Sequence, residues 1–307
     1  IGTYHTLVSE QDTYISLYRL LKVDTLLNYF KSHKKIEKRL DKIERKKKEK
    51  TLKSQLIYKL TLGLYQAGEL IISPSHLIKK DLVEGGASIP IEVVSNGMDL
   101  DRFRGEIKEP RKPPKFLHVG RISFEKNCEV VLKAFALILE KIPDATLDII
   151  GDGPALTSIK IEAKQIGVFD RCNFPGFVAH GSLHEIYPKY DLFLTASTME
   201  TQGLVVLEAM ACGLPCVGVN AYALPELIQH ERNGFVVEPF DHIHMAERAL
   251  QLLGDPELYK KFSAQSLAIA GEHELNSCAD RLESVYQSVV ETHRKKPAGL
   301  FGGLLPG

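Results

Sequence analysis

Cysteines and long apolar runs are scarce in this chain of 307 residues. Its five cysteines are odd in number and scattered, which is typical of a protein in a reducing cytosol and not of a disulfide-stapled secreted domain. The longest stretch without charge, Ala209 to Pro225, is interrupted by glycine and proline and does not predict a membrane-spanning helix. The chain starts at Ile1 and not at methionine, so we expect further residues upstream. These absences favour a cytoplasmic location.

The charges are unevenly distributed, although 39 basic and 39 acidic side chains give a net charge of zero. Residues 31–53 hold twelve lysines and arginines against four acidic residues. Within this segment Ile36, Leu40 and Ile43 form a narrow apolar stripe at helical spacing. Such a helix suits an anionic membrane surface, to which each cation adds about 1 kcal/mol. A solvated helical hairpin or a coiled-coil partner contact fits the same pattern, whereas nucleic acid is not expected because no aromatic residues interleave with the cations.

From Lys115 onward, strand-like and helix-like segments alternate, which predicts an α/β fold with a parallel sheet covered by helices. We expect strands at 115–120, 146–151, 173–177, 191–195, 215–219 and 235–237, with helices at 128–141, 156–166, 183–187 and 203–212. Upstream, short strands are expected at 70–72 and 91–94, and helices dominate from 242 to 290. The charged, proline-rich segment 104–114 is the best candidate linker.

The stretch from Glu200 to Glu208 is the most informative part of the sequence. It places two carboxylates eight residues apart across the start of an almost wholly apolar helix. The free N–H groups of Gly203 and Leu204 at that helix start suit a phosphate. An ionised Glu208 inside the helix needs a polar partner, from a ligand or from the protein itself. The arrangement fits a ligand with both phosphate and hydroxyl groups, and equally a structural glutamate beside a solvated one.

Three other loops leave the ends of predicted strands, where ligands bind in open parallel sheets. Arg121 and Lys126 offer a planar fork and a compact charge for phosphate oxygens. The turn 151–154 contains Gly153 and permits close backbone approach, and the backbone around Phe177 could edge a nucleobase. Taken singly, these are ordinary surface cations and a plain turn. Their occurrence at matching ends of successive strands favours a nucleotide-sugar site.

Five motifs, taken in order, resemble the donor domain of the family 4 retaining glycosyltransferases over roughly residues 1–293. They are Gly120-Arg121-(x)3-Glu125-Lys126-Asn127, Gly151-Asp152-Gly153-Pro154, Gly176-Phe177-Val178, Glu200-(x)7-Glu208 and Leu224-Pro225-Glu226. The resemblance implies the GT-B architecture, in which two Rossmann-like domains face a cleft. The Tyr4-His5-Thr6 context and the segment 220–225 further resemble the glycosyltransferases that act on diacylglycerol.

The resemblance also implies a role for each residue of the site. Arg121, Lys126, Gly203 and Leu204 would hold the donor diphosphate, Glu208 the ribose hydroxyls, and Gly153, Phe177 and Val178 the base side, while Glu200 and His5 would be catalytic. It implies a hexose transferred from a nucleotide-diphosphate sugar to an acceptor, with retained anomeric configuration and no metal or cofactor. No acidic pair in the sequence is placed to hold a metal.

The resemblance divides the chain into four parts. We expect a partial acceptor-side domain at 1–105 with a basic helical segment at 31–60, a donor domain at 106–272, a helix at 273–293 returning toward the N-terminal domain, and a flexible tail at 294–307. Family members have several strands and a Gly-rich loop before the Tyr-His-Thr segment, and we expect the N-terminal domain to be truncated here. Two rivals stay open: a sugar-nucleotide epimerase of the same architecture, and a non-catalytic nucleotide-sugar-binding protein.

Overall fold

A computed structural model describes residues 2–3 and 52–295, which form two parallel sheets with their helices. The smaller sheet has the order β1-β2-β3 and is parallel throughout. Its elements are β1 Gly2–Thr3, α1 Leu52–Gln66, β2 Ile71–Ser73, α2 His76–Glu84 and β3 Ile91–Val93. His5 and residues 31–51 of the basic segment lie outside the described residues.

The larger sheet has six parallel strands. Its elements are β4 Lys115–Val119, α3 Cys128–Lys141, β5 Thr146–Ile150, α4 Leu156–Gln165, β6 Cys172–Gly176, α5 His180–Leu183, β7 Leu192–Leu194, α6 Leu204–Ala211, β8 Cys216–Val219, α7 Leu224–Leu227 and β9 Gly234–Val237. Three helices follow: α8 His242–Gly254, α9 Pro256–Gly271 and α10 Leu275–Lys295. The predicted α/β fold is confirmed, and the predicted strands agree with the structure to within one residue at each end.

The core lies on both faces of the larger sheet. Phe116 and Leu117, adjacent in β4 and therefore on opposite faces, are both fully buried. All three residues of β7 are likewise buried, as expected for a parallel sheet that is covered on both sides. Continuous apolar runs in these strands, in place of alternation, follow from that double burial.

The strand order β6-β5-β4-β7-β8-β9 creates a switch point between β4 and β7. On one side the chain proceeds from β4 outward to β6, and on the other from β7 outward to β9. The loops after β4 and β7 therefore diverge and leave a crevice at the carboxyl ends of these strands, where open α/β sheets bind ligands. This topology positions the site.

The helix predicted at 183–187 is wrong. The chain forms α5 at His180–Leu183, and Tyr187–Lys189 is a 3₁₀ turn. Leu183 and Tyr187 are both buried, so they mimic the four-residue period of a helix. Helix α5 has already ended at Leu183, and Pro188 disfavours a helix through Tyr187, because proline lacks an N–H and disfavours the helical conformation of the residue before it.

Helix α2 was not anticipated from the sequence. Ser75 caps it, and its hydroxyl accepts a hydrogen bond from the N–H of Ile78 at 3.3 Å. Serine three residues before a free amide is a recognised helix-start signal, so the element was readable in principle. Ile78 and Leu82 bury the inner face of α2 against the smaller sheet.

Helix α10 packs on the smaller sheet although it is last in the chain. Leu282, Val285 and Val289 lie on one helical face and contact Leu70 and Ile72, in and beside β2. The domain boundaries expected at residues 105 and 272 stay a prediction. Among the described residues, no helix is both long enough and apolar enough to cross a bilayer.

Candidate active site

Lys126 and Glu200 meet at the switch point of the larger sheet. Lys126 ends a 3₁₀ turn in the loop after β4, and Glu200 lies in the loop after β7. The Nζ atom of Lys126 is 2.6 Å from Oε1 of Glu200, and the two side chains are only 18% and 15% exposed. The structure thus brings together two residues predicted to act on the same ligand.

The loop that carries Lys126 is held from below by Asn127. This residue has a φ of 48°, in the left-handed region that asparagine tolerates better than most residues. Its side-chain amide donates to the carbonyls of Glu125 and Ala196 and to the hydroxyl of Thr198, at 3.0–3.2 Å. These bonds tie the loop after β4 to the loop after β7, which fixes both sides of the crevice.

Glu208 is buried within α6, at 4% exposure, and its partners come from the protein. Tyr187 donates its hydroxyl to Oε2 at 2.7 Å, and Nε2 of His180 lies 3.0 Å from Oε1. Burial raises the pKa of Glu208, while the hydrogen bond from Tyr187 and the proximity of His180 oppose that rise. Each carboxylate oxygen therefore has one protein donor and keeps lone pairs for a further donor, such as a sugar hydroxyl.

The start of α6 lies in the same loop as Glu200. Gly203 precedes the helix with a φ of 85°. Glycine adopts this left-handed conformation at little cost, whereas any residue with a Cβ atom would be strained there. The N–H groups at this start have no intrahelical acceptor, so they can bind an anion. Leu204 is 42% exposed, which leaves the helix start open to solvent.

Arg121 is exposed just after β4, and its guanidinium has no hydrogen-bond or ion-pair partner among residues 2–3 and 52–295. Its loop is pinned on the neighbouring turn, where the N–H of Ile122 donates to the carbonyl of Asp152 at 2.9 Å. A Cβ atom on Gly153 would lie 2.3 Å from the carbonyl oxygen of Ile122. Gly153 is therefore required for this close approach between the turn 151–154 and the loop that carries Arg121.

Phe177 and Val178 differ in their surroundings. The Phe177 ring is 77% exposed, whereas Val178 is half-buried against the core. An exposed aromatic ring at the end of a strand can offer a face to a planar ligand. The base-side roles of both residues stay predictions.

Four residues that touch this region were not among the predicted site residues. His180 and Tyr187 hold Glu208, while Gln202 and Glu226 join the loops of the larger sheet to the smaller one. Gln202 and Glu226 lie within the motifs named above, so their place in the sequence already indicated that they are near the site. The signal for His180 was hidden, because nothing local links it to a residue 28 positions away.

Together these groups combine positive charge with carboxylates. Arg121, Lys126 and the start of α6 suit a diphosphate, and Glu200 and Glu208 suit hydroxyl groups. Among the described residues, no group of three or more His, Cys, Asp or Glu side chains is placed to hold a metal ion.

Comparisons with known proteins show which family and which fold this chain resembles. The family model described as glycosyl transferases group 1 matches residues 99–268. N-acetyl-alpha-D-glucosaminyl L-malate synthase of Bacillus anthracis is 31% identical over 193 residues, which cover 62% of this chain and 50% of that protein. Alpha-monoglucosyldiacylglycerol synthase of Streptococcus pneumoniae is 30% identical over 196 residues, which cover 60% of this chain and 44% of that protein. The chain thus spans about half the length of these relatives.

A solved structure shows the same fold. The structure of Anabaena HepE in complex with UDP and glucose superposes with a TM-score of 0.69 and 21% identity, covering 76% of this chain and 67% of that chain. The fold is therefore of the GT-B type that the motifs predicted.

Proposed function

Since this chain belongs to the glycosyl transferases group 1 family, we propose that it moves a hexose from a nucleotide-diphosphate sugar to a membrane lipid, with retention of the anomeric configuration. One observation carries the proposal. Lys126 and Glu200, from loops that diverge at the switch point, are in contact beside the start of α6. A cation, a carboxylate and free amides in one crevice suit a ligand with a diphosphate joined to a sugar.

The proposed chemistry is stabilisation of a departing diphosphate. Arg121, Lys126 and the amides of Gly203 and Leu204 bind its oxygens and offset the charge that develops as the glycosidic bond breaks. Preorganised charges of this kind supply much of the rate of such reactions. Because these groups already offer positive charge to the diphosphate, the proposed reaction needs no metal ion.

The carboxylates bind the two sugars of the donor. Glu200 accepts hydrogen bonds from the hydroxyls of the transferred hexose, and Glu208 accepts them from the ribose. Gly153, Phe177 and Val178 border the base. The family resemblance also implies a catalytic role for His5, which lies outside the described residues.

The acceptor proposed here is a lipid at the cytoplasmic membrane face. Support comes from the likeness to a synthase of a glucosylated diacylglycerol and from the basic residues at 31–53. Liposome flotation tests this point. Binding to anionic vesicles that high salt abolishes is expected, and equal binding to neutral vesicles would contradict it.

Calorimetric titration with nucleotide diphosphates and nucleotide sugars tests the donor site. We expect one base to bind in the micromolar range and the Glu208→Ala variant to bind it at least tenfold more weakly. The exposed Glu257 provides a matched control, because Glu257→Ala should bind as the wild type does. Binding without any slow hydrolysis of the nucleotide sugar would favour the non-catalytic alternative, and no binding across the panel would overturn the proposal.

A further inference from the structure

Gln202 joins the Glu200 loop to the chain segment that follows β3. Its Oε1 atom accepts hydrogen bonds from the backbone N–H of Asn96 at 3.1 Å and from the Asn96 side-chain amide at 2.6 Å. Its Nε2 atom donates to the hydroxyl of Ser95 at 2.6 Å. Gln202 is only 3% exposed, so its side-chain amide makes these hydrogen bonds in place of hydrogen bonds to water.

Ser95 is itself held on both sides. Its hydroxyl oxygen also accepts from the N–H of Gly97 at 3.1 Å, and Nδ1 of His273 lies 2.9 Å away. With two donors already on the oxygen, the single hydroxyl proton points to Nδ1 of a neutral His273. Burial lowers the pKa of His273, which favours that neutral form. The segment that receives Gln202 is thus rigidly defined.

Glu226 makes a second connection between the sheets. Its two carboxylate oxygens accept from the N–H groups of His76 and Leu77, at 2.9 and 2.6 Å. These amides begin α2, where a negative charge also meets the positive end of the helix dipole. The Glu226 carboxylate, on helix α7 beside the larger sheet, thereby caps helix α2, which packs on the smaller sheet.

Both connections lead back to Glu200. Gln202 is two residues after it, and the carbonyl of Glu200 accepts from the N–H of Ala223, at 3.2 Å, in the segment that leads to Glu226. Met199, one residue before Glu200, packs against the apolar cluster beneath α2. The backbone of Glu200 is therefore attached on each side to groups that the smaller sheet holds.

We infer that Gln202 and Glu226 are positioning residues through which the smaller sheet sets the place of Glu200. The buried Gln202 amide and the partly buried Glu226 carboxylate would leave polar groups unpaired if they lost their partners, so the loop follows the segment that satisfies them. Arg121, Lys126 and Glu208 lie outside the Glu200 loop and do not depend on this attachment. The amides of Gly203 and Leu204 share the loop, so loss of the attachment should lower turnover more than it lowers UDP affinity. The inference rests on the proposed function, because only then does Glu200 face a sugar.

Replacing Gln202 by leucine keeps the size of the side chain and removes its three hydrogen bonds. For Gln202→Leu we expect the turnover of a nucleotide sugar at saturating concentration to fall at least tenfold, while the UDP dissociation constant changes less than threefold. Gln202→Glu retains an acceptor for both Asn96 groups and loses only the bond donated to Ser95, so it should restore part of the turnover. Gln251→Leu, on the exposed face of α8, is the matched control and should match the wild type.

Glu226 gives an independent series. Glu226→Gln keeps one acceptor oxygen for the α2 amides and Glu226→Ala keeps none, so turnover should fall in the order wild type, Gln, Ala. UDP affinity should again stay within threefold, which also shows that each variant is folded. Turnover and UDP affinity falling together would mean a merely structural role, and unchanged turnover in Gln202→Leu would overturn the inference.

Amide hydrogen exchange separates this inference from the proposed function. In the absence of any ligand, exchange in residues 198–204 should be at least fivefold faster in Gln202→Leu than in wild type. Equal exchange would overturn the attachment itself, whatever the protein binds. A wild type that binds no nucleotide but shows faster exchange in the variant would overturn the proposed function and leave the attachment standing.

Discussion

The Nζ atom of Lys126 lies 2.6 Å from Oε1 of Glu200, across 74 residues of sequence. The pair is more than four-fifths shielded from solvent, yet it occupies the place proposed for the donor diphosphate and hexose. Lys126 is thus neutralised by the protein before any ligand arrives. A bound diphosphate must compete with Glu200 for the same ammonium group.

We therefore predict that Glu200→Gln binds UDP more tightly than the wild type while it transfers sugar more slowly. Loss of the Glu200 carboxylate frees Lys126 to bind the diphosphate. It also removes a negative charge that would repel the negatively charged diphosphate. Ion pairs near a surface are worth about 0.2–1 kcal/mol, which corresponds to at most about a fivefold tighter dissociation constant. Turnover should fall by about 10²-fold, because the interaction with the hexose is lost in the transition state. Calorimetry and a donor-turnover assay measure the two effects.

The pair Lys133–Glu162 serves as the control for this experiment. It is also a lysine–glutamate pair, at 3.6 Å, but it joins α3 and α4 on the surface. Glu162→Gln should leave both UDP affinity and turnover unchanged. Weaker UDP binding by Glu200→Gln would show that Glu200 assists the diphosphate site instead of competing with it.

We predict that replacing Glu208 by an uncharged glutamine stabilises the folded protein, by an amount that depends on pH. Its pKa is raised in the folded protein, so the native state holds the proton more firmly than the unfolded chain does. The stability of the wild type therefore declines as the pH rises above 4.5, the ordinary value, and the loss is complete above the folded pKa. Glu208→Gln cannot ionise and should gain stability relative to the wild type over the same interval.

Urea unfolding at pH 4 and pH 7 measures this effect. The difference in free energy of unfolding between Glu208→Gln and wild type should shift in favour of the variant at pH 7. At the same time UDP affinity should fall, because an amide accepts fewer hydrogen bonds from ribose hydroxyls. A difference that stayed constant with pH would mean that Glu208 titrates alike in both states.

We predict that replacing Gly153 by alanine disturbs the packing of its loop and thereby weakens binding of the donor nucleotide. Gly153→Ala places a Cβ atom 2.3 Å from the carbonyl oxygen of Ile122, so the loop that carries Arg121 must shift. Overpacking of this kind costs about 1–3 kcal/mol, and UDP should bind several-fold more weakly. Gly254→Ala is the control, since nothing lies within 4 Å of its added methyl group. It should leave UDP binding intact, and equal effects of the two changes would refute the packing argument.

We predict that replacing Asn127 destabilises the protein, by a smaller amount with glycine and a larger amount with alanine. Asn127→Gly keeps the left-handed backbone but removes the three side-chain hydrogen bonds, which should cost about 1–3 kcal/mol. Asn127→Ala must also adopt a φ of 48°, which adds about 1–2 kcal/mol. Chemical denaturation would rank the three proteins wild type, Gly, Ala. An alanine variant as stable as the glycine variant would place the cost in the hydrogen bonds alone.

Much of the fold was readable from local patterns. Apolar runs in β4, β7 and β8 and the helical period of α3 predicted these elements because each pattern reports burial on the faces of one element. The helix expected at 183–187 was wrong for the same local reason, since Leu183 and Tyr187 repeat at a helical interval although the helix ends at Leu183 and Tyr187 begins a 3₁₀ turn. Helix α2 was overlooked although Ser75 marked its start.

By itself, the sequence determined the order of strands and helices and placed polar residues at the strand ends, because both depend on short-range spacing. The tertiary structure alone decided that β4 and β7 are neighbours, and hence that Lys126 touches Glu200. It also decided that His180 and Tyr187 satisfy Glu208, and that Gln202 and Glu226 reach the smaller sheet. Such contacts depend on strand order and on how buried polar groups find partners across the fold, and neither is encoded in any local stretch of residues.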